Sequence, residues 1–223
     1  MNDDIITLSV NEIKNSIPAD IILVAAAKTR TPEEVKTAVN AGVSIIGYNY
    51  VQEAEQMFEH LGNSVTWHLI GHLQRNKAKR AVRLFDMIET IDSQRIAKAV
   101  NRHCEDAEKI MPVLIEINSG KESNKTGVMP DEVDDLIKDI SSLSNLRIQG
   151  IMTMGPRFGN PEDARPYFKA TKATFDRLKK AGIPNVEMKY LSMGMSNSYQ
   201  IAIEEGANVV RIGTKLFGSR CRI

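Results

Sequence analysis

A closed (β/α)8 barrel, running as one domain over residues 1–223, is the fold this sequence predicts. Three observations predict it. Eight short apolar runs recur, each followed by a stretch of helical periodicity or a chain end. The runs end near Lys28, Gly47, Gly71, Glu89, Asn118, Met152, Ser192 and Gly213, roughly 20 to 40 residues apart, the size of a strand plus a crossover helix. Glycines and polar residues gather just past these ends, where such a barrel has its mouth. The rival is a doubly wound open sheet. It usually has fewer strands and often a glycine-rich first turn, which this chain lacks.

The elements follow in order. Residues 3–16 carry a weak helical stripe of Ile5, Leu8 and Ile13, continued by Ile17. Residues 21–27 form an unbroken apolar run that ends in three alanines and Lys28, a strand buried on both faces. Thr31, Pro32, Glu33 and Glu34 read as a cap, a first-turn proline and first-turn acid, opening a helix over 32–40 that Gly42 ends. Strands are expected at 43–47, 65–70, 84–89, 111–117, 146–152, 187–191 and 209–213. Helices are expected at 51–60, 73–82, 93–104, from Pro130, at 161–180 and at 199–205. No proline- or glycine-rich linker divides the chain.

Composition narrows the function classes. With 29 basic and 28 acidic residues the net charge is +1, so no global field favours nucleic acid. The basic run Lys77, Lys79, Arg80 and Arg83 reads as a solvated helix face. No leader and no membrane-spanning apolar run is seen, so a cytoplasmic chain without membrane contact is expected. Cys104 and Cys221 are expected as free thiols, and His68 and His72 lack the helical zinc pattern, so no metal is expected.

The chemistry gathers at the strand ends. Lys28 closes the first strand, where an amine that is partly desolvated becomes nucleophilic; a lysine merely emerging into solvent is the alternative. Met195 and Ser196 follow the seventh strand, and Gly213 and Thr214 the eighth. Together they offer a phosphate cradle, with Ser196 capping the short helix that follows it. Strand one neighbours strand eight on closure, so a ligand with a phosphate at one end and an aldehyde at the other bridges cradle and lysine. Pyridoxal phosphate has those groups, and Lys28 would hold it as a Schiff base. Arg211 either faces the pyridine nitrogen or sits in an interior ion pair with Glu187 or Glu116. The methionines at 152, 154, 193 and 195 are expected to line the mouth.

Six segments carry a family resemblance: Lys28-Thr29, residues 49–53 (NYVQE), 67–77 (WHLIGHLQRNK), 150–154 (GIMTM), 191–196 (LSMGMS) and 210–218 (VRIGTKLFG). The chain resembles the pyridoxal-phosphate homeostasis protein family, whose fold is similar to the N-terminal barrel of alanine racemase. The resemblance implies a cofactor on Lys28, its phosphate held by Ser196 and the backbone around Gly213 and Thr214, with Asn49 beside it and Arg211 near the ring nitrogen. It also implies cofactor buffering or delivery, with the apo-forms of pyridoxal-phosphate enzymes as partners, an influence on amino-acid and keto-acid pools, and no robust turnover. A weak amino-acid racemase is the alternative. That reaction needs a second acid-base group, which alanine racemase takes from a further domain that is not expected here; Tyr48 and Tyr50 are the only substitutes at hand. A monomer is expected, with a dimer as the alternative. Two positions depart from the family pattern: Tyr48 stands where a glutamate is usual, and Ser198 where an aspartate is usual. Both changes are expected to remove negative charge near the mouth. The segment 119–127, which includes Ser123 and Asn124, is close to a family loop in altered order.

Overall fold

A computed structural model of the chain describes residues 3–122, 125–155 and 159–219. Pro156, Ser123, Asn124 and Cys221 lie outside the described residues. The strands are β1 (Ile22–Ala26), β2 (Ile45–Tyr48), β3 (Thr66–Leu69), β4 (Met87–Ile91), β5 (Met111–Ile117), β6 (Leu146–Thr153), β7 (Val186–Ser192) and β8 (Val209–Ile212). All pair in parallel and in sequence order, and β8 closes on β1. The expected barrel is the observed one.

The helices are α1 (Asp3–Ser16), α2 (Pro32–Asn40), α3 (Val51–Leu61), α4 (Ala78–Leu84), α5 (Gln94–Glu105), α6 (Val133–Ile140), α7 (Arg165–Ala181), α8 (Tyr199–Glu204) and α9 (Thr214–Phe217). α2 starts as its sequence dictates. The Thr31 hydroxyl accepts from the Glu34 N–H, and the Glu34 carboxylate accepts from the Thr31 N–H.

Alternation along the strands sorts side chains between the barrel interior and the layer under the helices. Ile46, Leu69, Ile88, Ile115, Ile151 and Ile212 belong to the large core between sheet and helices. Val24, Ile70 and Val209 form a small interior cluster, and Met87, Leu114 and Met152 form another. Tyr190 packs against both clusters.

Three expectations need correction. α1 forms where expected, but it buries Ile6, Val10 and Ile13, while Ile5 and Leu8 stay 50% and 68% exposed. The buried set has the spacing of one helical face; the step of five from Leu8 to Ile13 does not. The chain at 73–82 is a 3₁₀ turn over Arg75–Lys77 followed by α4, which runs on to Leu84. β4 therefore begins at Met87 instead of Leu84, and Glu89 becomes a mid-strand residue, not a strand end. α6 likewise starts at Val133, three residues past Pro130.

Gly150 lets β6 pass β7 closely. Its φ is +150°, and a Cβ there would stand 1.8 Å from the Tyr190 carbonyl oxygen. The β6–β7 register shifts at this point. Gly150→Ala combines backbone strain with overpacking and is expected to cost about 3 kcal/mol or more. Urea unfolding measures it; a loss under about 1 kcal/mol would show that the backbones part easily.

Candidate active site at the barrel mouth

Lys28 lies two residues past Ala26, whose side chain packs with the interior cluster of Val24. Alternation therefore carries the Lys28 position to the interior side at the mouth. The backbone there is held tightly: the Ala27 N–H donates to the Gly47 carbonyl at 3.1 Å and the Arg30 N–H to the Ala27 carbonyl at 3.2 Å. Lys28 is half-buried. Thr29, just after it, has a φ of +63°, a costly conformation for a β-branched residue.

The β1–β8 register places Val24 opposite Arg211 and Ala25 opposite Ile212, so the two strands end side by side. Gly213 sits against β1: a Cβ on it would lie 3.1 Å from the Ala26 carbonyl oxygen. The Ser196 hydroxyl oxygen accepts from the N–H groups of both Gly213 and Lys215, each at 3.2 Å. Ser196 thus caps α9, not the helix that follows it in sequence. The turn before α8 is closed by Ser198, whose Oγ accepts from the Met195 N–H at 3.3 Å. The loops after β7 and β8 are thus joined by hydrogen bonds through Ser196. Thr214 is exposed at the rim, and Met195 and Asn49 are half-buried. Gly71 permits close approach to Asn49, since a Cβ there would meet the Asn49 carbonyl oxygen at 2.4 Å.

Arg211 is 3% exposed and sits in a buried network. It donates to the Ser192 hydroxyl at 2.5 Å and to the Thr153 carbonyl at 2.8 Å. The Ser192 hydroxyl in turn donates to Glu89 Oε2 at 2.6 Å, and Glu89 Oε1 is 2.7 Å from His68 Nδ1. Burial opposes the Glu89 charge, yet His68, Arg211 and Ser192 hold the carboxyl below its ordinary range. The interior acid of Arg211 is therefore Glu89, 3.9 Å away. The expected Glu187 points outward, where Gln149 donates to it at 3.4 Å. Glu116 also faces the interior and contributes to the field at Arg211. Burial pushes its own carboxyl up, and one of its oxygens has no hydrogen-bond partner among the described residues.

A cavity of about 570 Å³ opens at the mouth, lined by Asn49, Tyr50, Glu116, Asn118, Met154 and Met195 among others. Of the residues expected at the site, Asn49 and Met195 line it. Lys28, Ser196, Arg211, Gly213 and Thr214 are not in its lining; Arg211 lies on β8, which pairs with β1, and the other four follow β1, β7 and β8. Met152 is in the interior cluster and Met193 in the outer core, so only two of the four methionines reach the cavity. Tyr48 does not face the mouth. It points to the helix layer and stacks on Trp67 with ring centroids 6.1 Å apart.

Sequence reading missed Glu89 and Ser192 as partners of Arg211. A signal was present: Glu89 is an acid inside the wholly buried run MIETI, and a buried acid needs a partner. Among the described residues no group of three or more His, Cys, Asp and Glu side chains is placed for a metal, and no helix is long and apolar enough to cross a membrane. Cys104 is buried, and burial raises its thiol pKa to about 11.

Residues 9–221 match the family model described as the alanine racemase N-terminal domain. A pyridoxal phosphate homeostasis protein of Aquifex aeolicus is 39% identical over 199 residues, covering 89% of this chain and 86% of that one. Its counterpart in Schizosaccharomyces pombe is 36% identical over 221 residues, covering 97% and 91%. Among solved structures, PipY of Synechococcus elongatus with PLP bound superposes with a TM-score of 0.88 at 29% identity, covering 96% of this chain and all of that one. An alanine racemase of Clostridium difficile shares the fold, with a TM-score of 0.77 at 19% identity; the match spans 57% of that longer chain.

Proposed function

The chain belongs to the pyridoxal phosphate homeostasis protein family, and we propose that it binds pyridoxal 5'-phosphate as a Schiff base on Lys28 and buffers or delivers that cofactor. The observation that carries this reading is the meeting of β1 and β8. Gly213 packs against Ala26, the half-buried Lys28 follows Ala26 by two residues, and the N–H groups of Gly213 and Lys215 converge on the Ser196 hydroxyl.

The residues present fit the cofactor. When bound, it supplies an aldehyde that condenses with an amine and a pyridine ring that conjugates with the product. Ser196, Gly213 and Thr214 would hold its phosphate: the N–H groups of Gly213 and Lys215 already point together toward Ser196 Oγ, the arrangement that suits an anion. The missing Cβ of Gly213 lets the backbone approach closely. Asn49 and Met195, which line the mouth cavity, would flank the ring.

Arg211 would lie near the ring nitrogen. Two hydrogen bonds and the Glu89 charge fix it, so it cannot swing aside. A permanent cation there disfavours protonation of that nitrogen and weakens the ring as an electron sink. That suits a carrier better than a catalyst. The racemase alternative needs an acid-base group opposite Lys28. Tyr48 is turned toward Trp67 and does not supply it; Tyr50 lines the mouth cavity but is 62% exposed, poorly placed to exclude water from such a step. We place the protein in the cytoplasm as a monomer, with cofactor-free pyridoxal-phosphate enzymes as its recipients.

Two experiments bear on this. Ser196→Ala removes one hydroxyl from the phosphate and is expected to weaken cofactor retention about tenfold, the worth of one charge-assisted hydrogen bond. Equilibrium dialysis measures it, and unchanged retention would move the phosphate elsewhere. For delivery, the loaded protein is mixed with a cofactor-free pyridoxal-phosphate enzyme in the presence of a phosphatase that destroys free cofactor. Recovery of that enzyme's activity supports delivery; none argues for storage alone.

A further inference from the structure

A second cavity, of about 460 Å³, lies outside the barrel interior between the loop after β1, the end of β2 and α3. Two polar groups in its lining have no partner among the described residues. One is the Tyr48 hydroxyl, on a residue only 2% exposed. The other is Oε2 of Glu53. The two are close enough for the Glu53 charge to act on the phenol, which burial already holds well above its ordinary pKa. Yet they make no hydrogen bond to each other.

A buried hydroxyl and a carboxylate oxygen left unpaired are costly; the carboxylate oxygen accepts only, and the hydroxyl can accept as well as donate. Glu59 adds a second acid to the wall. Arg30 is the permanent cation in the wall, and His60 also lines it. Arg30 is already engaged: it pairs with Glu34, donates to the Gly218 carbonyl and lies over the Phe217 ring. Met57 and Pro32 supply an apolar side to the cavity. An occupant that matches carries a positive charge, N–H donors for two acceptors, and a short alkyl part.

The geometry points to a binding site for a small primary alkylammonium, held between the Tyr48 hydroxyl and the Glu53 carboxylate. Thr29, whose strained backbone directly follows Lys28, lines the same cavity, so the ligand lies against the segment that carries the lysine. The site does not depend on the cofactor reading, because none of its polar groups belongs to the mouth.

The test is calorimetric titration of propylammonium into the full chain after borohydride treatment, which removes any imine that an amine can exchange with. Saturable one-to-one binding is expected. Glu53→Gln should weaken it about tenfold or more, since a charged hydrogen-bond partner is lost. Tyr48→Phe should weaken it several-fold, and because it deletes an unpaired buried hydroxyl it should fold at least as well as the parent. Tetramethylammonium, a cation without N–H donors, and propanol, a donor without charge, should each bind about tenfold more weakly or not at all. Equal affinity of parent, Glu53→Gln and Tyr48→Phe would overturn the proposal. So would saturable binding of potassium with none of propylammonium, or a crystal soaked in propylammonium that shows water alone between the two oxygens.

Discussion

Lys28→Ala is expected to abolish the visible absorption band of the cofactor-loaded protein while leaving the barrel folded. The lysine is the covalent anchor, so its removal takes away the chromophore outright and not by degrees. The fold does not depend on it. Lys28 is half-buried past the end of β1, and the core of the strand is Val24 and Ala25. The cradle of Ser196 and Gly213 survives the change, so the variant should still hold the cofactor weakly through its phosphate. Absorption spectra with added cofactor, together with a thermal melt by circular dichroism, check both halves. A band of unchanged intensity would move the anchor to another amine.

Glu89→Gln is expected to be the most damaging single change to stability. It keeps the shape of the side chain and removes the charge that offsets Arg211, buried to 3% exposure, and holds the buried His68. Breaking a buried ion pair from one side costs about 3–5 kcal/mol, a large part of a typical domain's 5–15 kcal/mol. The pH dependence has a definite sign. The folded-state pKa of Glu89 lies below its ordinary value, so its contribution is fully present above the unfolded pKa of about 4.3 and is lost as pH falls through the folded one. The gap between parent and variant should therefore be wide at neutral pH and narrow as the pH falls from the unfolded pKa through the lower folded one. Urea unfolding across that range measures it. A gap that is small at pH 7, or that widens in acid, would mean that Glu89 is not the counter-charge of Arg211.

The barrel was legible because local pattern and global fold agree. The apolar run ending at Lys28 and the cap at Thr31 each carry their own strand or helix signal, and the structure places both where the pattern does. The face of α1 was less legible. Ile5 and Leu8 are as apolar as Ile6 and Val10, and only the position of α2 and α9 beside the helix decides which pair is buried. Partners across the barrel were not legible at all. Which acid meets Arg211 depends on strand stagger and tilt, and a single sequence carries no direct record of either. So Glu116 and Glu187 stood as candidates, while Glu89 had been placed at a strand end by a β4 read as starting too early. Tyr48 and Ser196 teach the same lesson on a smaller scale. Alternation turns Tyr48 away from the mouth, and the loops after β7 and β8 come close enough for Ser196 to bond across them.

The most direct test of the central claim is to incubate the full-length protein with pyridoxal phosphate, reduce it with borohydride, digest it and map the peptides by mass. The account predicts a single stoichiometric pyridoxyl adduct on Lys28. An adduct on a different lysine, or a protein that takes up no cofactor, would contradict it.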